Sequence, residues 1–210
     1  MKKTLLNLLI VAIITSVALV ACSKENGGKD GEGNALTINA TNVVRANSNI
    51  VAVKAFIAGF EVASCKFQNN GFSLNLSTNV SEQYLKDIYY LKHKLGFEIF
   101  GIPAHFISDR NNRCGVLELL AYNNSGRNIG HFRLGEKEYH SDDQFEAYYV
   151  YTDRNFTIKG YSTYDCSFKK GWNIVYLHHY IIQSSYEDEM TTTKPSNANL
   201  KWIYEGEIID

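Results

Sequence analysis

The stretch Asn69-Asn70-Gly71-Phe72-Ser73-Leu74-Asn75-Leu76-Ser77 carries the fold class in its alternation. Phe72, Leu74 and Leu76 fall on one face of an extended chain and Ser73, Asn75 and Ser77 on the other. That is the pattern of a strand with one buried side and one wet side. Asn69-Asn70-Gly71 ahead of it is a turn of the kind that needs left-handed backbone. Upstream, Ile50 to Ala58 and Glu61 to Phe67 are two apolar-rich runs broken at Gly59.

Downstream the same grammar continues. Val116 to Tyr122 and Asn128 to Leu134 flank Asn123-Asn124-Ser125-Gly126-Arg127, a hairpin with a five-residue loop. Gly135 to Gln144 is polar and reads as a loop. Phe145 to Tyr151, Phe156 to Lys159 and Gly171 to Gln183 read as strands, and Leu200 to Glu205 closes the chain with Leu200, Trp202 and Tyr204 alternating with Lys201, Ile203 and Glu205. Between the two halves, Asn79 and Glu82 form a capping pair, and Tyr84, Leu85, Ile88, Leu91 and Leu95 follow at helical spacing up to Gly96, which predicts one short helix. The composition agrees with β-structure: 14 Tyr, 11 Phe and 2 Trp make 13% aromatic residues, which suit a pleated surface. Short strands at this spacing predict an antiparallel β-sandwich of two sheets, of the immunoglobulin or transthyretin-like class, with a lipocalin-like barrel as the alternative. No internal repeat is visible.

The 210-residue chain divides into three parts. Residues 1–21 begin Met1-Lys2-Lys3-Thr4 and continue as an apolar run from Leu5 to Ala21, the layout of a secretory signal peptide. Leu19-Val20-Ala21-Cys22 resembles the lipobox of bacterial lipoproteins. The resemblance implies that Cys22 becomes the acylated N-terminus and that two or three acyl chains hold the protein stably on a lipid bilayer. Residues 22–34 are rich in Gly and charge and form a flexible tether; an ideal coil of that length reaches about 20 Å. Cys22-Ser23-Lys24-Glu25 is similar to the lysine-plus-acid export signal of Bacteroidota lipoproteins, although Asn26 stands where a second acid is usual. It implies a place on the outer membrane facing the cell exterior, with the periplasmic face as the alternative. Residues 35–210 make a single β-rich domain. The net charge is −1, and two units more negative once Lys2 and Lys3 leave, which argues against a nucleic-acid partner.

Motifs for chemistry are sparse. Gly-x-Ser-x-Gly, the phosphate-cradling Gly-x-x-x-x-Gly-Lys-Ser/Thr, Gly-x-Gly-x-x-Gly and His-Glu-x-x-His do not occur. Cys65 lies in an apolar run and reads as a small buried hydrophobe. Cys114 and Cys166 border turns and are the candidate pair for a bridge. His178 and His179 are adjacent in a strand, so their side chains face opposite ways and cannot easily share one ion. Asp142, Asp143 and Glu187-Asp188-Glu189 read as solvated loop charges, and Asp153 as a turn-shaping residue. No catalytic residue, metal ligand or cofactor site is assigned. The aromatic side chains are the enriched material for binding, because Tyr and Trp join a large apolar face to a polar tip. Tyr148, Tyr149, Tyr151, Trp172 and Trp202 are the candidate ligand-binding residues.

With these residues read, the chain resembles the small lipoproteins abundant in Bacteroidota. The resemblance rests on Leu19 to Cys22 and the tether, with Tyr149-Val150-Tyr151-Thr152-Asp153-Arg154, Lys169-Lys170-Gly171-Trp172-Asn173 and Thr191 to Pro195 leading to Leu200-Lys201-Trp202 in support. It carries no catalytic residue to transfer. The expected function is a non-catalytic surface module that binds a glycan, a host molecule or an envelope protein. An accessory subunit of an envelope complex and a hydrolase with a site assembled from Asp109, His140, Asp142 and Asp153 are the alternatives.

Overall fold

The computed structural model describes residues 35–88, 104–137, 143–161, 163–182 and 185–206. The strands among them are β1 (Leu36–Ala40), β2 (Ala52–Ile57), β3 (Phe60–Lys66), β4 (Phe72–Leu76), β5 (Lys86–Asp87), β6 (Arg113–Tyr122), β7 (Asn128–Gly135), β8 (Gln144–Thr152), β9 (Phe156–Tyr161), β10 (Tyr164–Phe168), β11 (Gly171–Ile182), β12 (Ser185–Thr191) and β13 (Lys201–Gly206). The fold is mainly β and sandwich-like, and its sheets do not close into a barrel.

β1 and β4 form a small antiparallel sheet with Ile38 opposite Leu74. The large sheet runs β3-β2-β6-β7-β8-β11-β12-β10-β9, with β13 added to β7 and β5 to β6. The Asn-Asn-Gly turn is the corner between the two sheets. Asn69 and Asn70 take φ of 52° and 54°, and Gln68 and Gly71 exchange backbone hydrogen bonds of 2.9 and 3.0 Å. Two successive left-handed residues define the tight primed turn, for which asparagine has the lowest cost after glycine. Gly71 itself is needed for space, because a Cβ there would stand 2.2 Å from the Ala40 carbonyl oxygen. The chain enters this corner from β3 in the large sheet and leaves it as β4 in the small one.

Two cores lie on opposite faces of the central strands. Core one gathers Ile38, Phe72 and Leu74 from the small sheet against Val53, Leu119 and Trp202 of the large one. Core two gathers Val116, Val150, Val175 and Leu177 against Ile158 and Met190, under the part of the large sheet that folds back as β12, β10 and β9. Strand alternation divides the residues. Leu117 and Leu119 of β6 enter core one while Cys114 and Val116 enter core two; Tyr151 and Val150 of β8 part in the same way. Ile158, Leu177 and Met190 are at most 1% exposed, and burial of each contributes about 1.5–3 kcal/mol. An isolated bridge between Ile107 and Ile158 links the far end of the folded-back sheet to the segment before β6.

The structure corrects the helix expected from Asn79 onward, over the part it describes. Glu82–Tyr84 make one turn of 3-10 helix, Ser81 at its start makes no side-chain cap, and Leu85 is already extended. Lys86 and Asp87 then pair with Cys114 and Arg113. The reason is visible in where Leu85 and Ile88 go. Residues three apart face opposite ways on an extended chain, and Leu85 enters core one while Ile88 enters core two. A helix would put both on one side and leave one core unfilled. The remainder of the predicted helix, from Tyr89 to Gly96, falls outside the described residues. A second correction concerns Glu187, Asp188 and Glu189, which sit within β12 opposite Tyr180, His179 and His178 instead of in a loop.

Candidate functional site

β6, β7 and β8 meet in a triangle. The first part of β6 pairs with the end of β8, as in Val116 with Val150. Its second part pairs with β7, as in Leu119 with Phe132. β7 then reaches the start of β8 through Leu134 with Ala147. Between these three contacts the strands part, leaving Leu117 and Glu118, Arg133, and Tyr148 and Tyr149 without a ladder partner across the gap. A cavity of 360 Å³ occupies this junction. It falls within the range of about 300–1,000 Å³ usual for small-ligand sites.

One wall of the cavity is apolar, with Leu117, Leu119 and Leu134 beside Tyr149 and Trp202. The rings of Tyr149 and Trp202 lie 6.2 Å apart and 2° from parallel. The other wall is a chain of charged groups. His131 Nε2 lies 2.9 Å from Glu205 Oε2. Arg133 Nε donates to the other oxygen of Glu205, and its Nη2 donates to the Lys137 carbonyl. Arg133 Nη1 faces Glu146 Oε1 at 3.6 Å, which is an ion pair but too long for a hydrogen bond. Nη1 is buried and has no hydrogen-bond acceptor. Glu146, only 4% exposed, accepts from the Tyr148 hydroxyl at 2.6 Å and from Gln144 Nε2 at 3.2 Å.

Local sequence explains how these groups come together. Gly135 follows Arg133 by two residues on the same face of β7, and a Cβ there would stand 2.2 Å from Arg133 Nη1. The missing side chain is what lets the guanidinium lie back along its own strand. Burial, and after it the neighbouring Glu146 carboxylate, push the Tyr148 hydroxyl well above the ordinary tyrosine range, so it stays protonated and donates. Burial likewise raises Tyr149 to about 12. The arrangement can hold a ligand between an aromatic wall and a polar wall offering both donors and acceptors.

The predicted binding residues divide. Tyr148, Tyr149 and Trp202 line the cavity, Trp202 while also a member of core one and only 9% exposed. Tyr151 and Trp172 are 5% and 9% exposed and belong to core one. Cys22 lies outside the described residues, as do His140 and Asp142 of the alternative hydrolase set. The other two members of that set, Asp109 and Asp153, are brought together around Arg154, whose Nη1 lies 3.4 Å from Asp109 and whose Nη2 lies 3.2 Å from Asp153. Asp109 also accepts from the Asn111 amide and Asp153 from the Arg113 amide, so both shape backbone. His178 pairs with Asp143 at 2.9 Å and with Glu189 at 3.5 Å, and His179 with Asp188 at 2.6 Å. Cys65, Cys114 and Cys166 remain thiols, so the candidate Cys114–Cys166 bridge is not formed.

Arg133, Glu146 and Glu205 were not singled out from sequence. The available signal was a charged residue at the same place in two apolar runs, Phe132-Arg133-Leu134 and Phe145-Glu146-Ala147. Charges in the body of a strand are costly to bury unless paired. No family model, curated protein or solved structure matches the chain.

Proposed function

We propose that the protein is an exported lipoprotein held on the outer membrane by acylated Cys22, and that its domain is a non-catalytic binding module with its site at the junction of β6, β7 and β8. Its ligand is a glycan or an envelope or host protein. The observation that supports binding is the cavity itself: an aromatic wall of Tyr149 and Trp202 opposite a buried polar wall of Arg133 and Glu146. A concave site with convergent polar groups is suited to a small end group, which favours a glycan over a broad protein face. The exposed large apolar side chains among the described residues, Phe60 and Ile181, sit on different strands and make no continuous docking patch.

The test of binding is a glycan array probed with the acylated protein in detergent micelles. Saturable binding to a defined set of glycans, weakened by Trp202→Ala in a folded variant, is the expected outcome. A blank array counts against the glycan ligand. For the anchor, Cys22→Ala is expected to abolish labelling by radioactive palmitate, and continued labelling would overturn it. For the location, protease added to intact cells is expected to degrade the protein. Full protection beside a cleaved surface control would place it on the periplasmic face.

A further inference from the structure

We infer that the domain rests on the bilayer that holds it, through Phe60 at the tip of the β2–β3 hairpin and Tyr84 in the turn beside it. This contact goes beyond the binding reading and rests on the acylation of Cys22 proposed above.

Exposure marks the place. Phe60 and Ile181 are the exposed large apolar side chains among the described residues, at 45% and 39%. The Phe60 ring is stacked on that of Tyr84, with centroids 4.5 Å apart and planes 19° from parallel. Tyr84 is in turn partly buried against core one. The outer ring is therefore held in place by an inner one that the core supports. Aromatic rings of this kind suit the boundary of a membrane, where one side is apolar and the other wet.

The turn that presents Phe60 has the same character. Ala58 and Gly59 join β2 to β3 with φ of 48° and 85°. The other non-glycine residues with positive φ among the described ones are Asn42, Arg45, Asn69 and Asn70, all of them polar. Asparagine bears a left-handed backbone at lower cost than alanine, and a turn in water has every reason to use it. Ile57-Ala58-Gly59-Phe60 instead carries no polar side chain, and a Cβ at Gly59 would meet nothing within 4 Å. The acids that flank the two rings are paired, Glu61 with Lys54 at 2.8 Å and Glu82 with Arg113 at 3.8 Å.

The bilayer is the occupant because of where the chain enters the domain. β1 begins at Leu36, fourteen residues after Cys22, and Leu36 lies opposite Leu76 of β4. β4 turns back at the Gln68–Gly71 bridge, against the direction of β3. Leu76 and Leu36 therefore lie toward the Phe60 end of β3. A tether that reaches about 20 Å keeps this edge of the domain close to lipid. Contact between the rings and the headgroup layer is then intramolecular in effect, so two side chains suffice where a free protein would need many. The acyl chains supply the attachment, and the rings decide which face of the domain is turned away from the membrane.

The acylated protein is placed in vesicles of phosphatidylethanolamine and phosphatidylglycerol that contain phosphatidylcholine brominated on its acyl chains near the headgroup. Phe60→Trp puts a fluorophore at the tip, and Ile181→Trp puts one at the other exposed apolar site. Quenching is counted over that of the unaltered protein, whose Trp172 and Trp202 are each 9% exposed. Phe60→Trp is expected to be quenched about threefold or more strongly than Ile181→Trp. Adding Ala58→Asn, which suits the turn but brings an amide toward the apolar layer, is expected to reduce the quenching of Phe60→Trp about twofold. Should Phe60→Trp fail to fold, Tyr84→Trp reads the same patch from its other ring. Equal quenching at the two sites, or quenching at neither, overturns the contact, and so does quenching that Ala58→Asn leaves unchanged. The mass of the purified protein separates these results from a failure of the anchor. Acyl chains present on Cys22 leave the anchor standing when the contact fails, whereas a mass without them overturns both.

Discussion

Tyr151 and Trp172 face each other across β8 and β11, meet edge to face at 5.3 Å, and send their polar tips to adjacent carbonyls of one segment. Trp172 Nε1 donates to Ser77 at 2.9 Å and the Tyr151 hydroxyl donates to Thr78 at 3.0 Å. Ser77 and Thr78 leave β4, the strand of the small sheet that packs against core one. This aromatic pair therefore fastens the exit of the small sheet to the large one. Each polar tip has the partner that a buried tyrosine or tryptophan needs.

Removing one tip is expected to loosen that fastening without touching the cavity. Tyr151→Phe should lower stability by about 1–2 kcal/mol, from the lost hydrogen bond and the carbonyl left unpaired, and Trp172→Phe by more, because it also removes part of a ring buried in core one. Urea unfolding followed by near-ultraviolet circular dichroism measures it. Ligand binding by Tyr151→Phe should match that of the unaltered protein. A Tyr151→Phe variant that is stable but no longer binds would move the site to this pair.

The parts of the fold that are local were legible in the residues. Asn69-Asn70 announced a left-handed turn and takes one, and the Phe72-Leu74-Leu76 alternation buries those three residues while leaving Ser73 and Asn75 exposed. The loop after β6 behaves as its composition says, with Asn123 Oδ1 accepting from the amides of Ser125 and Arg127 and Gly126 at φ 75°. What failed was set by distant partners. Helical spacing at Leu85 and Ile88 is also the spacing that serves two cores on opposite sides of a strand, and periodicity alone does not tell these apart. The acidic run of β12 reads as loop because the partners of Asp188 and Glu189, His179 and His178, lie across the ladder on β11 and not in the run itself. The cavity was least legible of all. It exists because three strands each pair with two others over part of their length, and no single segment records that. Aromatic enrichment pointed to the right strands, yet neighbouring residues of β8 divide between core and cavity.

The division into two cores makes its own prediction. Ile38→Val removes a methylene group from core one and Ile158→Val one from core two, at positions 1% and 0% exposed. Each is expected to cost about 0.5–1.5 kcal/mol. Sites with no shared partners add, so the double variant should equal the sum within about 0.5 kcal/mol. A larger departure in a double-variant cycle would mean that the two clusters are one packing unit.

The thiols should differ in reactivity. Cys114 and Cys166 are fully buried, and burial raises the Cys166 thiol to about 12, whereas Cys65 is partly accessible. Burial raises Cys65 as well, so its reaction should be slow. With iodoacetamide near neutral pH, the native protein should be modified at Cys65 about tenfold faster than at the other two, and at all three once unfolded. Peptide mass spectrometry reads each site. Equal rates in the native state would show that core two opens as readily as the surface.

Alkali should weaken the fold, and the sign follows from which state holds the proton. Tyr149 is raised from 10.0 to about 12 and Cys166 from 9.0 to about 12, in both cases chiefly because burial disfavours the anion. Below about pH 8 both groups are almost wholly protonated folded or unfolded, and neither makes stability depend on pH. From about pH 8 up to about 12 the unfolded chain releases first the thiol proton and then the phenol proton, while the native protein largely keeps them. Stability therefore falls as pH rises through this window, by at most about 3 kcal/mol for the tyrosine. Urea midpoints at pH 8, 10 and 11 should decline in the unaltered protein and decline less in Tyr149→Phe. The combination with Cys166→Ala should flatten the curve further, from a lower starting stability because of the atom removed from core two. An alkaline loss in the double variant equal to that of the unaltered protein would assign it to other groups. Tyr148, raised in the same direction by its burial beside Glu146, is the first of these to replace.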